Sequence, residues 1–312
     1  MYQKGQSFEL LNALSNIQMH GYVGVLNSCD IYLEDIIKWF FEVYIKNEFG
    51  ANGFICNMPE KSDSILSKYE RVATVIDGET KQFKLFCEEG EIDRELYEMI
   101  SGSVRYKEIP SLIKNKYAYA NSNEIVREMH DMFSDQCMLS YTEKTGSKYN
   151  TFFELLRLEN VKPEEIEEYN FDELNWLLER GVVYVSDGML ALNYERIWIL
   201  KELNDKGVIC LQYKDSDILR KLISEGEIRV ESSLLSESEW EYFNYVLNKS
   251  EFSNGLDLRN RYIHDTNPLD KRHQQNDYIV LLKMFVILVI KINEEFCLQD
   301  KISKKGVDFY EL

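Results

Sequence analysis

The residues best placed to do chemistry lie late in the chain, between Asn254 and Asp265. The chain holds four histidines, His20, His130, His264 and His273. Histidine is the usual proton-transfer group near neutral pH. His20 and His130 fall in helical patterns with no catalytic partner nearby in sequence, so packing or surface roles are expected for both. His264 stands in the string Asn254-Gly255-Leu256-Asp257-Leu258-Arg259-Asn260-Arg261-Tyr262-Ile263-His264-Asp265. If Leu256 to Asp265 is helical, Asn260 and His264 are one turn apart on one face, and Arg259 flanks that face. Leu258 and Tyr262 would then point inward, and Arg261 would lie one turn from both Asp257 and Asp265. An arginine fork holds a phosphate, an imidazole moves a proton, and an amide orients either.

Local charge agrees with that placement. The whole chain carries 36 basic and 54 acidic residues, a formal charge of −18. From Asn254 to Ile292 six bases face four acids, a net of +2, while the rest carries −20. A general nucleic-acid coat is therefore excluded, and a polyanion is best received beside Arg259 and His264. Arg261, Lys271, Arg272 and His273 are the candidate RNA-contacting residues of this patch.

The string Leu258-Arg259-Asn260-Arg261-Tyr262-Ile263-His264 resembles the signature of the HEPN superfamily: an Arg, a polar residue, and a His after four to six intervening positions. The approach Asn254–Leu258 is similar to that of bacterial members linked to abortive infection. Asp265 stands where many members have Gly. A carboxylate there would raise the pKa of the imidazole or weaken RNA binding. The resemblance implies a small helical domain that dimerises, and a metal-independent endoribonuclease needing no cofactor. Its composite site would be built from Arg259, Asn260 and His264 of two subunits. It also implies a defence or toxin effector governed by an inhibitory or activating protein partner. The alternative is a non-catalytic HEPN-like module that binds a protein, RNA or nucleotide. In a third reading Arg259, Asn260 and His264 are caps in a helical scaffold.

Other catalytic signatures are missing. There is no GxGxxG, GxSxG or HExxH, and Gly146-Ser147-Lys148 lacks the spacing of a phosphate-binding loop. The six cysteines, Cys29, Cys56, Cys87, Cys137, Cys210 and Cys297, show no metal-ligand spacing. Scattered thiols, and an opening stretch without an apolar leader, point to the cytoplasm. The apolar run Tyr278–Ile292 is interrupted by Lys283 and Lys291 and is too short for a membrane span. The apolar surface of Tyr278–Phe296 exceeds what one short helix covers, which predicts a homodimer.

The elements that must position these residues are mainly α-helical, since only 15 Gly and 4 Pro interrupt 312 residues. The expected organisation is a helical N-terminal region (1–150), a winged-helix-like segment (151–214) and a C-terminal HEPN-like helical bundle (215–312). In the first, helices are predicted at Asp30–Asn47 (capped by Asp30), Ile92–Met99 and Ser122–Phe133, with Tyr141–Asn150 as a linker. In the second, helices at Thr151–Leu158, from Pro163, and at Phe171–Arg180 precede a hairpin turning at Ser186-Asp187-Gly188. The third of these helices offers Asp172, Glu173 and Glu179 against Arg180, which favours a protein-contact or spacer role over DNA reading. In the third region, helices are predicted at Asp217–Ser224, Glu237–Leu247 and Asn276–Phe296.

Overall fold

A computed structural model describes residues 1–100, 102–213, 215–249, 251–261 and 270–305. The chain is mainly helical, with two small antiparallel sheets. It divides into two compact units. The first joins Met1–Ile113 to the described residues from Ser232 onward, and the second is Lys114–Glu231. The first unit thus draws on both the first and the third of the regions expected from sequence.

The first unit opens with α1 (Gln6–Ser28), α2 (Leu33–Trp39), α3 (Ile45–Phe49), α4 (Ile65–Glu89) and α5 (Arg94–Met99). Asp30 does not cap a helix; it sits in the left-handed region at φ 57°, and α2 begins after Tyr32. The expected continuous helix is interrupted at Phe40–Tyr44 by a π-helical turn. Phe40 and Phe41 are adjacent and both buried. A regular helix would aim them about 100° apart, and the wider turn brings both inward. α4 starts at Ser64, whose hydroxyl accepts from Ser67 N–H, and stops at Gly90 with φ 79°.

The second unit contains β1 (Tyr117–Ala120), α6 (Asn123–Phe133), α7 (Phe152–Leu158) and α8 (Phe171–Glu179). β2 (Val183–Ser186), β3 (Met189–Leu192), α9 (Tyr194–Lys206), β4 (Ile209–Cys210), α10 (Asp217–Ser224) and β5 (Ile228–Glu231) complete it. β2 and β3 form the expected hairpin, Ser186 opposite Met189, with Asp187 and Gly188 both at positive φ. The helix expected from Pro163 is a single 3-10 turn, Pro163–Glu165. A three-stranded sheet in the order β4-β1-β5 has no counterpart in the sequence reading. Tyr141–Asn150 is folded into this unit, with buried Thr142 bridging to Gly146 and Ile166. Arg180 turns inward: it donates to Glu128 at 2.6 Å and pairs with Glu227, while Arg196 also donates to Glu128. Glu128 is wholly buried, so Arg180 serves an internal ion network.

The chain then returns to the first unit with α11 (Glu237–Leu247) and α12 (Lys271–Lys305). α12 runs through the core, where Leu281, Leu282, Phe285, Leu288 and Ile292 are fully buried. α4, α1 and α3 pack against it. The apolar surface that suggested a second copy is therefore covered within the unit; Ile290 is the large apolar side chain of α12 left exposed. No helix among the described residues is long and apolar enough to cross a membrane.

Candidate functional site

Of the three proposed catalytic residues, Arg259 and Asn260 are described; His264, with Asp265, lies outside the described residues. The segment carrying Arg259 is not helical up to Arg261. It folds back over the end of α11. The last four carbonyls of a helix lack partners within it. Here Asn244 O accepts from Asn248 N, Tyr245 O from Leu256 N, Val246 O from Leu258 N, and Leu247 O from Arg259 N. Every one is satisfied, three of them by the segment that carries the start of the motif. The close return needs a glycine. A Cβ on Gly255 would meet Asn248 O at 2.8 Å and Phe252 O at 3.0 Å. Tyr69 on α4 adds a clamp by donating its hydroxyl to Leu258 O.

A turn follows. Asp257 has φ 53°, and its carbonyl accepts from Asn260 N and Arg261 N. Its carboxylate accepts from the Asn260 amide at 2.9 Å. Asn260 is thus oriented by the turn rather than by a helix face. Leu258 is buried, as expected, but by this return and not by helical periodicity.

Arg259 reaches α4. Its Nη2 lies 2.5 Å from Asp77 Oδ2, and Tyr106 Oη lies 3.5 Å from Asp77 Oδ1. Burial pushes the Asp77 carboxyl up from its usual range, against the opposing pull of Arg259 and Lys81. Two grooves flank the pair. One, of about 270 Å³, is lined by Thr74, Asp77, Lys81, Tyr97, Arg259 and Asn260. The other, of about 500 Å³, is lined by residues including Arg105, Asn244, Lys249, Asp257, Arg259 and Asn260. Arg259 and Asn260 are common to both, and Lys81, Arg105 and Lys249 add cationic groups.

The four RNA-contact candidates line neither groove. Arg261 Nη1 pairs with Asp277 Oδ2 at 2.8 Å, which ties the turn to α12. Asp270 caps the start of α12. Its carboxylate accepts from Arg272 N at 2.9 Å and lies 2.9 Å from His273 Nδ1, which hold it below the usual carboxylate range. Lys271, Arg272 and His273 are exposed there. Sequence reasoning missed Asp77, Lys81 and Tyr106. No local signal marks Asp77 as the partner of Arg259, because α4 is distant in sequence. All six cysteines are free thiols.

Comparison with protein-family models, with curated proteins and with solved structures finds no significant match.

Proposed function

We propose that the chain is a metal-independent endoribonuclease of HEPN type, acting in the cytoplasm as a defence or toxin effector. The observation that carries this reading is Arg259, held by Asp77 at the shared edge of two grooves with Asn260 beside it. A guanidinium fixed in this way is preorganised for a phosphate. RNA supplies its own nucleophile. The 2′-oxygen bonds to phosphorus, the bond to the 5′-oxygen breaks, the 2′-proton passes to a base, and the leaving oxygen gains a proton. The products are a 2′,3′-cyclic phosphate and a 5′-hydroxyl. In this reading His264 moves one of those protons, Arg259 stabilises the added negative charge, and a second copy supplies the complementary group. Arg261, Lys271, Arg272 and His273 receive more distant phosphates, and the 151–193 segment acts as a winged-helix-like protein contact.

A second reading is favoured by one observation: both described motif side chains already have internal partners, Arg259 with Asp77 and Asn260 with Asp257. In that reading the motif is a structural clasp of a non-catalytic HEPN-like module. Cleavage of mixed cellular RNA in excess EDTA, comparing the parent with His264→Ala and Arg259→Ala, separates the two. Cyclic-phosphate ends made by the parent and absent with folded His264→Ala support the nuclease. Absence of cleavage by the folded parent supports the clasp.

A further inference from the structure

Among the described residues of the first unit, one face of α1 has no neighbour. α1 packs inward through Asn12, Met19, Val23 and Leu26. At about 100° per residue, Leu10, Leu14, Ile17, Gly21, Gly24 and Val25 fall on the opposite side. Leu10, Leu14, Ile17 and Val25 are 63%, 46%, 67% and 64% exposed. A Cβ added at Gly21 or Gly24 would meet nothing within 4 Å. Positions 10, 14, 17, 21, 24 and 28 alternate in steps of four and three, the spacing of a helix-pairing seam. Glu9 is the single acid of α1, and the helix holds no Lys or Arg, in a chain that is 29% charged.

We propose that this face binds the same face of a second copy, the two α1 helices running antiparallel about a two-fold axis. Residue size selects that direction. The first half of the seam is large (Leu10, Leu14, Ile17) and the second half small (Gly21, Gly24, Ser28). An antiparallel register seats Leu10 on the partner's Ser28, Leu14 on the partner's Gly24 and Ile17 on the partner's Gly21. Every layer then holds one bulky and one small residue, and the two-fold axis repeats the set. A parallel pair would crowd leucine on leucine and leave voids at glycine on glycine. Antiparallel packing also places opposite ends of the helix dipoles side by side.

The area is sufficient. A seam about 27 Å long, with side chains about half to two-thirds exposed, presents on the order of 500 Å² per copy, so two copies reach the ~1,000 Å² of a specific interface. A lipid surface is a poorer occupant, because an interfacial helix relies on basic residues along its flanks and α1 has none. This pairing rests on α1 alone and is independent of the ribonuclease reading.

Light scattering coupled to size exclusion on the full chain at micromolar concentration tests it. The parent should run at twice 36.9 kDa. Ile17→Glu should run as a folded monomer, since Ile17 is exposed. Gly24→Leu fills the seat of Leu14 and should weaken the dimer by at least about tenfold. That variant improves helix propensity, so circular dichroism will show that lost pairing is not unfolding. A monomeric parent, or a dimer surviving Ile17→Glu, overturns the proposal, and an unchanged or tighter Gly24→Leu dimer overturns the register. Binding of monomeric parent, but not Ile17→Glu, to phosphatidylcholine–phosphatidylglycerol vesicles overturns it in favour of lipid.

Discussion

Arg259 and Asp77 form an ion pair with 2.5 Å between Nη2 and Oδ2, one residue in the turn after α11 and the other in the middle of α4. The pair joins the segment that carries the proposed motif to the longest helix of the first half of the chain. It also makes any Arg259 variant ambiguous, because the same side chain holds the fold and faces the grooves.

A double-mutant cycle separates those roles. Asp77 is buried, and removing Arg259 alone leaves its carboxyl without its cation. Arg259→Met should therefore cost about 3 kcal/mol, whereas the Asp77→Asn/Arg259→Met pair should cost clearly less than the sum of the two single changes. Urea denaturation of the four proteins measures the coupling, and a value near zero would remove Asp77 as the anchor.

Gly255 should be nearly irreplaceable. The atoms that a Cβ would meet are backbone oxygens, which cannot swing aside. Gly255→Ala should destabilise by about 1–3 kcal/mol, the range for overpacking a close contact. A stability equal to the parent's would show that the return over α11 is looser than described.

The second unit has its own strong dependence. Glu128 is wholly buried and accepts from both Arg180 and Arg196. Glu128→Gln leaves two guanidinium groups short of an anion, and should cost about 3–5 kcal/mol. Thermal melts or denaturant titration will show this directly, and a loss under about 1 kcal/mol would mean that Glu227 alone balances both.

Lys283 predicts a pH effect of definite sign. Its Nζ donates to Asn12, Asn16 and Tyr242 and lies 3.3 Å from Ser15 Oγ, with no carboxylate among these partners. Burial lowers its pKa to about 8. Between that value and the ordinary lysine range, the unfolded chain binds a proton that the folded chain does not. Stability therefore rises with pH through that window, approaching about 1.4 kcal/mol per unit from this group. Below pH 8 both states are protonated and the slope vanishes. The difference in unfolding free energy between the parent and Lys283→Met, measured at several pH values, isolates the effect; a difference that falls from pH 8 to 10 sinks the prediction.

The parts of the fold legible in the sequence are those whose signals are local. The hairpin was readable because Ser186-Asp187-Gly188 supplies two residues tolerant of positive φ. Asp217–Ser224 and Glu237–Leu247 form as expected, and Ser216 and Ser236 stand at their caps. β1 was not readable, since four residues carry no period and its partners Cys210 and Glu231 lie far along the chain. The polar stretch Tyr141–Asn150 reads as a linker by composition, yet Thr142 and Thr145 satisfy each other and fold it inward. At the site, residue type singled out Arg259 and Asn260. Their setting was hidden, because a capping return over α11 and an acid on a distant helix leave no trace in spacing.

The division of the chain also orders its assembly in time. Asp77 is synthesised early and Arg259 late, with the whole of the second unit translated between them. α4 must therefore wait with a buried-type carboxyl and an uncovered apolar face until α11 and α12 arrive to complete its core. A nascent chain stalled before that point has neither the Arg259–Asp77 pair nor its grooves. Whatever the site does, it can do only once nearly all of this chain has been made.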